Sequence, residues 1–192
     1  MKRGGKIVII CLAVLVVIVV LCLCFGETST KSEDANPKIA TWLTYENSTY
    51  GITINYSSDW EKNENIPLNV ITFVYYPEKN ALSSVALSIM VYDLSTQFIT
   101  LEEYTQFSLD QLKQDIPNYN QVEATATVLA ENPAEKVVYT GEMSQNNLKF
   151  MQIWTIKNNK IYLISYVAPV QLYSDSLSTV QKMIDSFEIS LM

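Results

Sequence analysis

Hydrophobic spacing divides the chain into two regions that obey different rules. From Ile7 to Phe25 run 19 residues without a charge, IVIICLAVLVVIVVLCLCF. At about 1.5 Å rise per residue they would span roughly 28 Å as a helix, close to the ~30 Å hydrocarbon core of a bilayer. Lipid offers backbone groups no outside partner, so the segment is expected to be helical and to cross the membrane. Residues 26–40 then turn polar (GETSTKSEDANPKIA), with Pro37 set against helix continuation, and read as a linker.

Beyond the linker, residues 41–192 alternate with the period of strands, and turn residues separate the runs. Expected strands are 41–45, 51–56, 70–76, 84–93, 121–129, 135–142, 148–157 and 161–168. Asn158-Asn159 fits a two-residue hairpin because asparagine tolerates positive φ, and Gln145-Asn146-Asn147 marks the preceding turn. Residues 134–168 therefore predict a three-stranded antiparallel meander. Two helices interrupt the strands. The first starts after Thr100, with Glu103 completing a capping box, and stops before Pro117. The second covers about 172–187, its apolar stripe being Leu177, Val180, Ile184 and Phe187. In the last long strand, Ile161, Leu163 and Val167 oppose Tyr162, Ile164 and Tyr166, so both faces must be covered. The expected fold class is α+β: one antiparallel β-sheet flanked by helices, preceded by one N-terminal transmembrane helix.

Charge fixes an orientation for this arrangement. Lys2, Arg3 and Lys6 precede the apolar run, leaving ten basic residues against all 20 acids beyond it, a net −10. The positive-inside rule places the N-terminus in the cytoplasm and the domain outside. An uncleaved signal-anchor fits best. A cleavable signal would have a shorter apolar core and small residues before the cut, whereas Cys24 stands at −3 from a cut after Gly26. A lipoprotein would use Cys22 or Cys24, each preceded by leucine instead of a small residue. So acidic a domain repels phosphate backbones, which excludes nucleic acid as a partner.

Residue types also narrow the chemistry. The chain has no histidine, and Cys11, Cys22 and Cys24 all lie in the apolar run. Ser-His-Asp and Cys-His nucleophiles and His/Cys zinc sites are therefore absent from the domain. Arg3 is the sole arginine, and the five glycines form no phosphate cradle. What remains is oxygen chemistry. Asp59, Glu61 and Glu64 follow the second strand and could recruit Ca²⁺, although they match no EF-hand and would otherwise be a solvated loop. Glu102 and Glu103 stand at a helix N-terminus, a structural position. Tyr75, Tyr76, Trp154, Tyr162 and Tyr166 are either core residues or a binding surface. Asn47-Ser48-Thr49 and Asn55-Tyr56-Ser57 are N-glycosylation sequons, Asn47 near a turn and Asn55 in mid-strand.

The run from Tyr45 to Trp60, YENSTYGITINYSSDW, resembles the opening of PsbP-like domains: an aromatic-Gly-apolar strand, then a turn closed by tryptophan. Met183-Ile184-Asp185-Ser186-Phe187 resembles their final helix, and 134–139 and 151–166 their central hairpins. The likeness covers about residues 45–190 and is greatest to membrane-tethered archaeal members. Ser57 stands where the family usually has proline. The resemblance implies an α/β/α sandwich, the fold shared by PsbP and a Ran-binding nuclear-import factor. The metal-associated histidines of plant members have no counterpart here, and the photosystem role does not carry over with the fold. The expected function is a non-enzymatic, membrane-anchored binding or complex-assembly module outside the cytoplasm, without a cofactor, facing an envelope or membrane complex. The alternative is a carboxylate-dependent hydrolase of envelope polysaccharide, which requires two acids facing one another in a cleft.

Overall fold

The computed structural model describes residues 40–77, 84–94 and 98–190. The expected span Ile7–Phe25 and its linker lie outside the described residues. Among the described residues, no helix is long and apolar enough to cross a membrane.

The described residues hold ten strands and two helices in the order β1 (Trp42–Asn47), β2 (Ile52–Ser57), β3 (Glu61–Asn63), β4 (Ile71–Tyr75), β5 (Val85–Asp93), α1 (Leu101–Asp115), β6 (Asn120–Leu129), β7 (Asn132–Met143), β8 (Asn146–Lys157), β9 (Lys160–Pro169), α2 (Tyr173–Asp185) and β10 (Glu188–Ile189). Seven of the strands form one antiparallel sheet in the order β3-β4-β5-β9-β8-β7-β6, and β1-β2-β10 form a second, smaller one. All eight expected strands are present. The expected single sheet is divided in two because β2 finds its second neighbour in β10, the last strand of the domain.

The meander is longer than expected by one strand, and all its turns have two residues. Ala130-Glu131, Ser144-Gln145 and Asn158-Asn159 each carry positive φ at both positions, the requirement of a type I′ turn whose twist matches that of the strands it joins. The second turn is Ser144-Gln145, so that of the expected Gln145-Asn146-Asn147 only Gln145 belongs to it. Asn146 instead opens β8, and its Nδ2 donates to the Ser144 carbonyl at 3.1 Å. At the first turn neither alanine nor glutamate is suited to left-handed φ, at a cost of about 1–2 kcal/mol per residue. The double substitution Ala130→Asn, Glu131→Gly is therefore expected to stabilise the domain by about 1 kcal/mol, read as a rise of about 3 °C in Tm.

Two cores lie on the two faces of the large sheet. One gathers Phe73, Leu87, Ile89, Tyr162, Ile164 and Tyr166 with Val180, Met183, Ile184 and Phe187, together with Ile52 and Ile54 of the small sheet. The other gathers Val137, Tyr139, Phe150, Trp154, Ile161, Leu163 and Val167 with Tyr104, Leu112 and Ile116. The alternation in β9 is the reason: its residues divide between the cores one by one. The first face is covered by α2 and the small sheet together, the second by α1.

α1 begins as expected. Thr100 Oγ1 accepts the Glu103 amide at 3.1 Å and the Glu103 carboxylate accepts the Thr100 amide at 3.0 Å. The box satisfies amides that the first turn otherwise leaves unpaired, so Thr100→Ala is expected to cost about 1 kcal/mol in a urea titration. Below the helix, burial pushes the Tyr104 phenol up to about 12, a hydrogen bond with the Ser108 side chain pulling the other way. The stability due to this neutral phenol is complete below pH ~10, where an unfolded tyrosine also keeps its proton. It is lost as pH rises from 10 through the folded value of about 12, at up to about 1.4 kcal/mol per pH unit. Alkaline unfolding followed by circular dichroism should show that onset, and Tyr104→Phe should make it shallower.

Candidate functional site at the edge of the large sheet

β3 is a three-residue strand of Glu61, Lys62 and Asn63, all exposed. Among the described residues it pairs only with β4, placing Glu61 beside Val74 and Asn63 beside Thr72. The chain turns immediately afterwards, with the Asn65 amide donating to Asn63 Oδ1 at 2.9 Å. This sharp exit leaves an open depression of about 390 Å³, lined by Glu61, Asn63, Glu64, Asn65, Val74 and Tyr76 around Lys62. The Lys62 ammonium lies 3.3 Å from the Glu64 carboxylate and 5.4 Å from the centre of the Tyr45 ring. Two carboxylates, two carboxamides and an exposed phenol thus share one rim. Such a rim can accept and donate hydrogen bonds to a polar partner, but it stays in contact with bulk water.

The other candidates from the sequence divide sharply. Glu61 and Glu64 both reach the depression; Asp59 does not line it. Among the described residues, no group of three or more acidic side chains is placed to hold a metal ion. Trp154, Tyr162 and Tyr166 are buried and lie on opposite faces of the sheet, so they form no common binding surface. Tyr75 stacks on Trp60 at 5.6 Å, closing the turn after β2 against the core. Of the five aromatics only Tyr76 is exposed at the candidate site. Glu103 belongs to the helix cap. Asn63 and Asn65 carry little signal in the sequence beyond an Asn-Glu-Asn run before Pro67.

The two sequons differ in geometry. Asn47 is half-buried at the end of β1, its Nδ2 donating to Tyr45 Oη at 3.1 Å and its Oδ1 accepting the Thr49 and Tyr50 amides. Asn55 is exposed on β2, where its Oδ1 accepts from Thr44 Oγ1 at 2.8 Å.

Three solved structures share the architecture. Cyanobacterial PsbP from Synechocystis sp. PCC 6803 matches with a TM-score of 0.58 and 14% identity, covering 83% of this chain and 98% of that one. LpqN of Mycobacterium tuberculosis, involved in cell envelope biogenesis, gives 0.61 at 11% identity, covering 80% and 93%. The Ran-binding protein Mog1p of Saccharomyces cerevisiae gives 0.54 at 10% identity, covering 79% and 96%. At such identities the likeness is one of fold alone. No curated protein matches the chain. A family match to PsbP-like protein runs from residue 7 to residue 189, and the chain belongs to that family.

Proposed function

We propose that the chain is a non-enzymatic binding or assembly module, held at the outer face of the membrane by residues 7–25. It offers a protein partner the depression at the β3–β4 edge. The observation that carries this reading is the openness of that site. Its polar groups stand on a solvent-exposed rim, and Trp154, Tyr162 and Tyr166 are packed into the two cores instead of lining it. Chemistry on a substrate wants a site from which water is excluded, whereas a polar rim with one exposed aromatic suits a protein surface. The tether is read from the uncharged run Ile7–Phe25 with Lys2, Arg3 and Lys6 before it.

The hydrolase reading rests on Glu61 and Glu64 sharing one depression. It would require them to flank a bound sugar, and an open rim with Glu64 ion-paired to Lys62 gives it little purchase.

The test is affinity capture from solubilised membranes using the full chain and its Glu61→Lys, Glu64→Lys variant. A membrane protein retained by the parent and lost from the variant is the expected result. Glycan turnover by the parent that disappears with Glu61→Gln would overturn it. Protease added to intact cells checks the placement: the domain should be digested.

A further inference from the structure

The opposite edge of the large sheet presents a strand of unusual character. β6 pairs with β7 and with no other strand among the described residues. Residues 120–126 are all exposed, and Val122 and Val128 are 55% and 67% exposed. Natural edges are commonly protected by lysine, proline, a bulge or short length. Here a bulge falls at Val122, between Gln121 and Glu123. After it, 124–129 reads Ala-Thr-Ala-Thr-Val-Leu, without charge or proline. The one acid in the strand, Glu123, is neutralised by Lys136 of β7 at 2.7 Å.

We infer that this edge joins a second copy of the same chain, β6 against β6 antiparallel, making one continuous sheet from two. The occupant follows from the symmetry of the segment. Ala124 pairs with Val137 and so lies on the α1 face, together with Ala126 and Val128; Thr127 pairs with Ala134 and so shares the α2 face with Thr125. With Ala126 opposite its own counterpart, Thr125 meets Thr127 and Ala124 meets Val128 on each side of the two-fold axis. Threonine pairs across strands are favourable, and a small residue opposite a larger one fills space without a clash. An isologous contact of this kind uses one patch twice. Charge permits this contact where it opposes others. Two bodies that each carry −10 outside the apolar run repel over most of their surface, but here Glu123 meets Leu129, and no like charges face each other. Backbone pairing would supply affinity, as in other cases of strand addition. The pairing does not depend on the β3–β4 site or on the membrane tether.

The test uses the full chain in membranes with Cys11, Cys22 and Cys24 replaced by serine. Ala126→Cys should form a disulfide-linked dimer under mild oxidation, and Ser48→Cys, on an exposed turn of the small sheet, should not. Separately, Ala126→Glu sets two carboxylates face to face, each beside Glu135 of its own β7, and should weaken self-association by on the order of tenfold in detergent sedimentation, with an unchanged circular dichroism spectrum. The inference is overturned by a monomeric parent without the Ala126→Cys cross-link, by equal cross-linking at Ser48→Cys, or by a dimer that Ala126→Glu does not weaken.

Discussion

Adding one methyl group at Gly141 is expected to cost the domain about 3 kcal/mol, at the upper end of what overpacking does. Gly141 lies within β7, buried and paired with Leu148. A Cβ built there would stand 2.2 Å from Ile116 Cγ2 and 3.3 Å from the Pro117 carbonyl oxygen. The first of these distances is far inside van der Waals contact, so the neighbour must move. Ile116 caps the end of α1 and is 3% exposed. The Pro117 carbonyl accepts the amide of Glu142 at 2.8 Å, which holds the helix end to the strand. Gly141→Ala must therefore push the foot of α1 away from the sheet or bend β7. The check is a double-mutant cycle in urea. Ile116→Ala alone should cost about 2–4 kcal/mol, and the pair should cost clearly less than the two single changes together, because the cavity accepts the methyl. Strict additivity would show that the close approach is not what matters.

The second large effect is at the other end of the same helix. Trp154 is 1% exposed. Its indole Nε1 donates to Thr105 Oγ1 at 2.9 Å, and its ring meets Tyr104 edge to face with centres 5.9 Å apart. Trp154→Ala removes the side chain, its ring contact and the partner of a half-buried hydroxyl, for an expected loss of about 3–5 kcal/mol. That is a large share of the roughly 5–15 kcal/mol by which domains are stable. Trp154→Phe keeps most of the volume and forfeits the hydrogen bond, and should cost about 1–2 kcal/mol. Hydrogen exchange separates a local from a global effect. In Trp154→Phe the amides of α1 should lose protection while those of α2, packed on the opposite face, keep theirs. Equal loss in both helices would contradict the view that Trp154 acts by fastening α1.

Features determined by neighbours in the chain were readable from the sequence. The capping box at Thr100 and Glu103 involves residues three apart, and the Asn158-Asn159 turn is set by the tolerance of asparagine for positive φ. The stripe through Val180, Ile184 and Phe187 and the alternation in β9 likewise record which side of each element is wet. Features that depend on distant partners were not readable. Glu61-Lys62-Asn63 shows no alternation and becomes a strand only because β4 offers it an edge. Glu188-Ile189 has too few residues for any pattern and is a strand only by pairing with Thr53 and Ile52. Asn146-Asn147 attracts a turn assignment on residue type, yet the register of β7 on β8 places the reversal at Ser144-Gln145, two positions earlier. The candidate site follows the same division. The acids near β3 were visible as a cluster, but which of them share a rim depends on where that edge strand lies and on Tyr76 arriving from β4.

The small sheet has a consequence for the order in which the domain can be made. β1 and β2 are the first of the described strands to leave a ribosome, and the strand that completes their sheet is the last. The amide of Asn55 is held by Ser186 Oγ at 2.9 Å and the carbonyl of Ile189 by the Lys157 ammonium at 3.0 Å, contacts between regions separated by 131 and 32 positions. β6 to β9, by contrast, are joined by two-residue turns and can zip up locally, the kind of contact that forms fast. A nascent chain will thus hold β1 and β2 without their third strand until β10 has emerged.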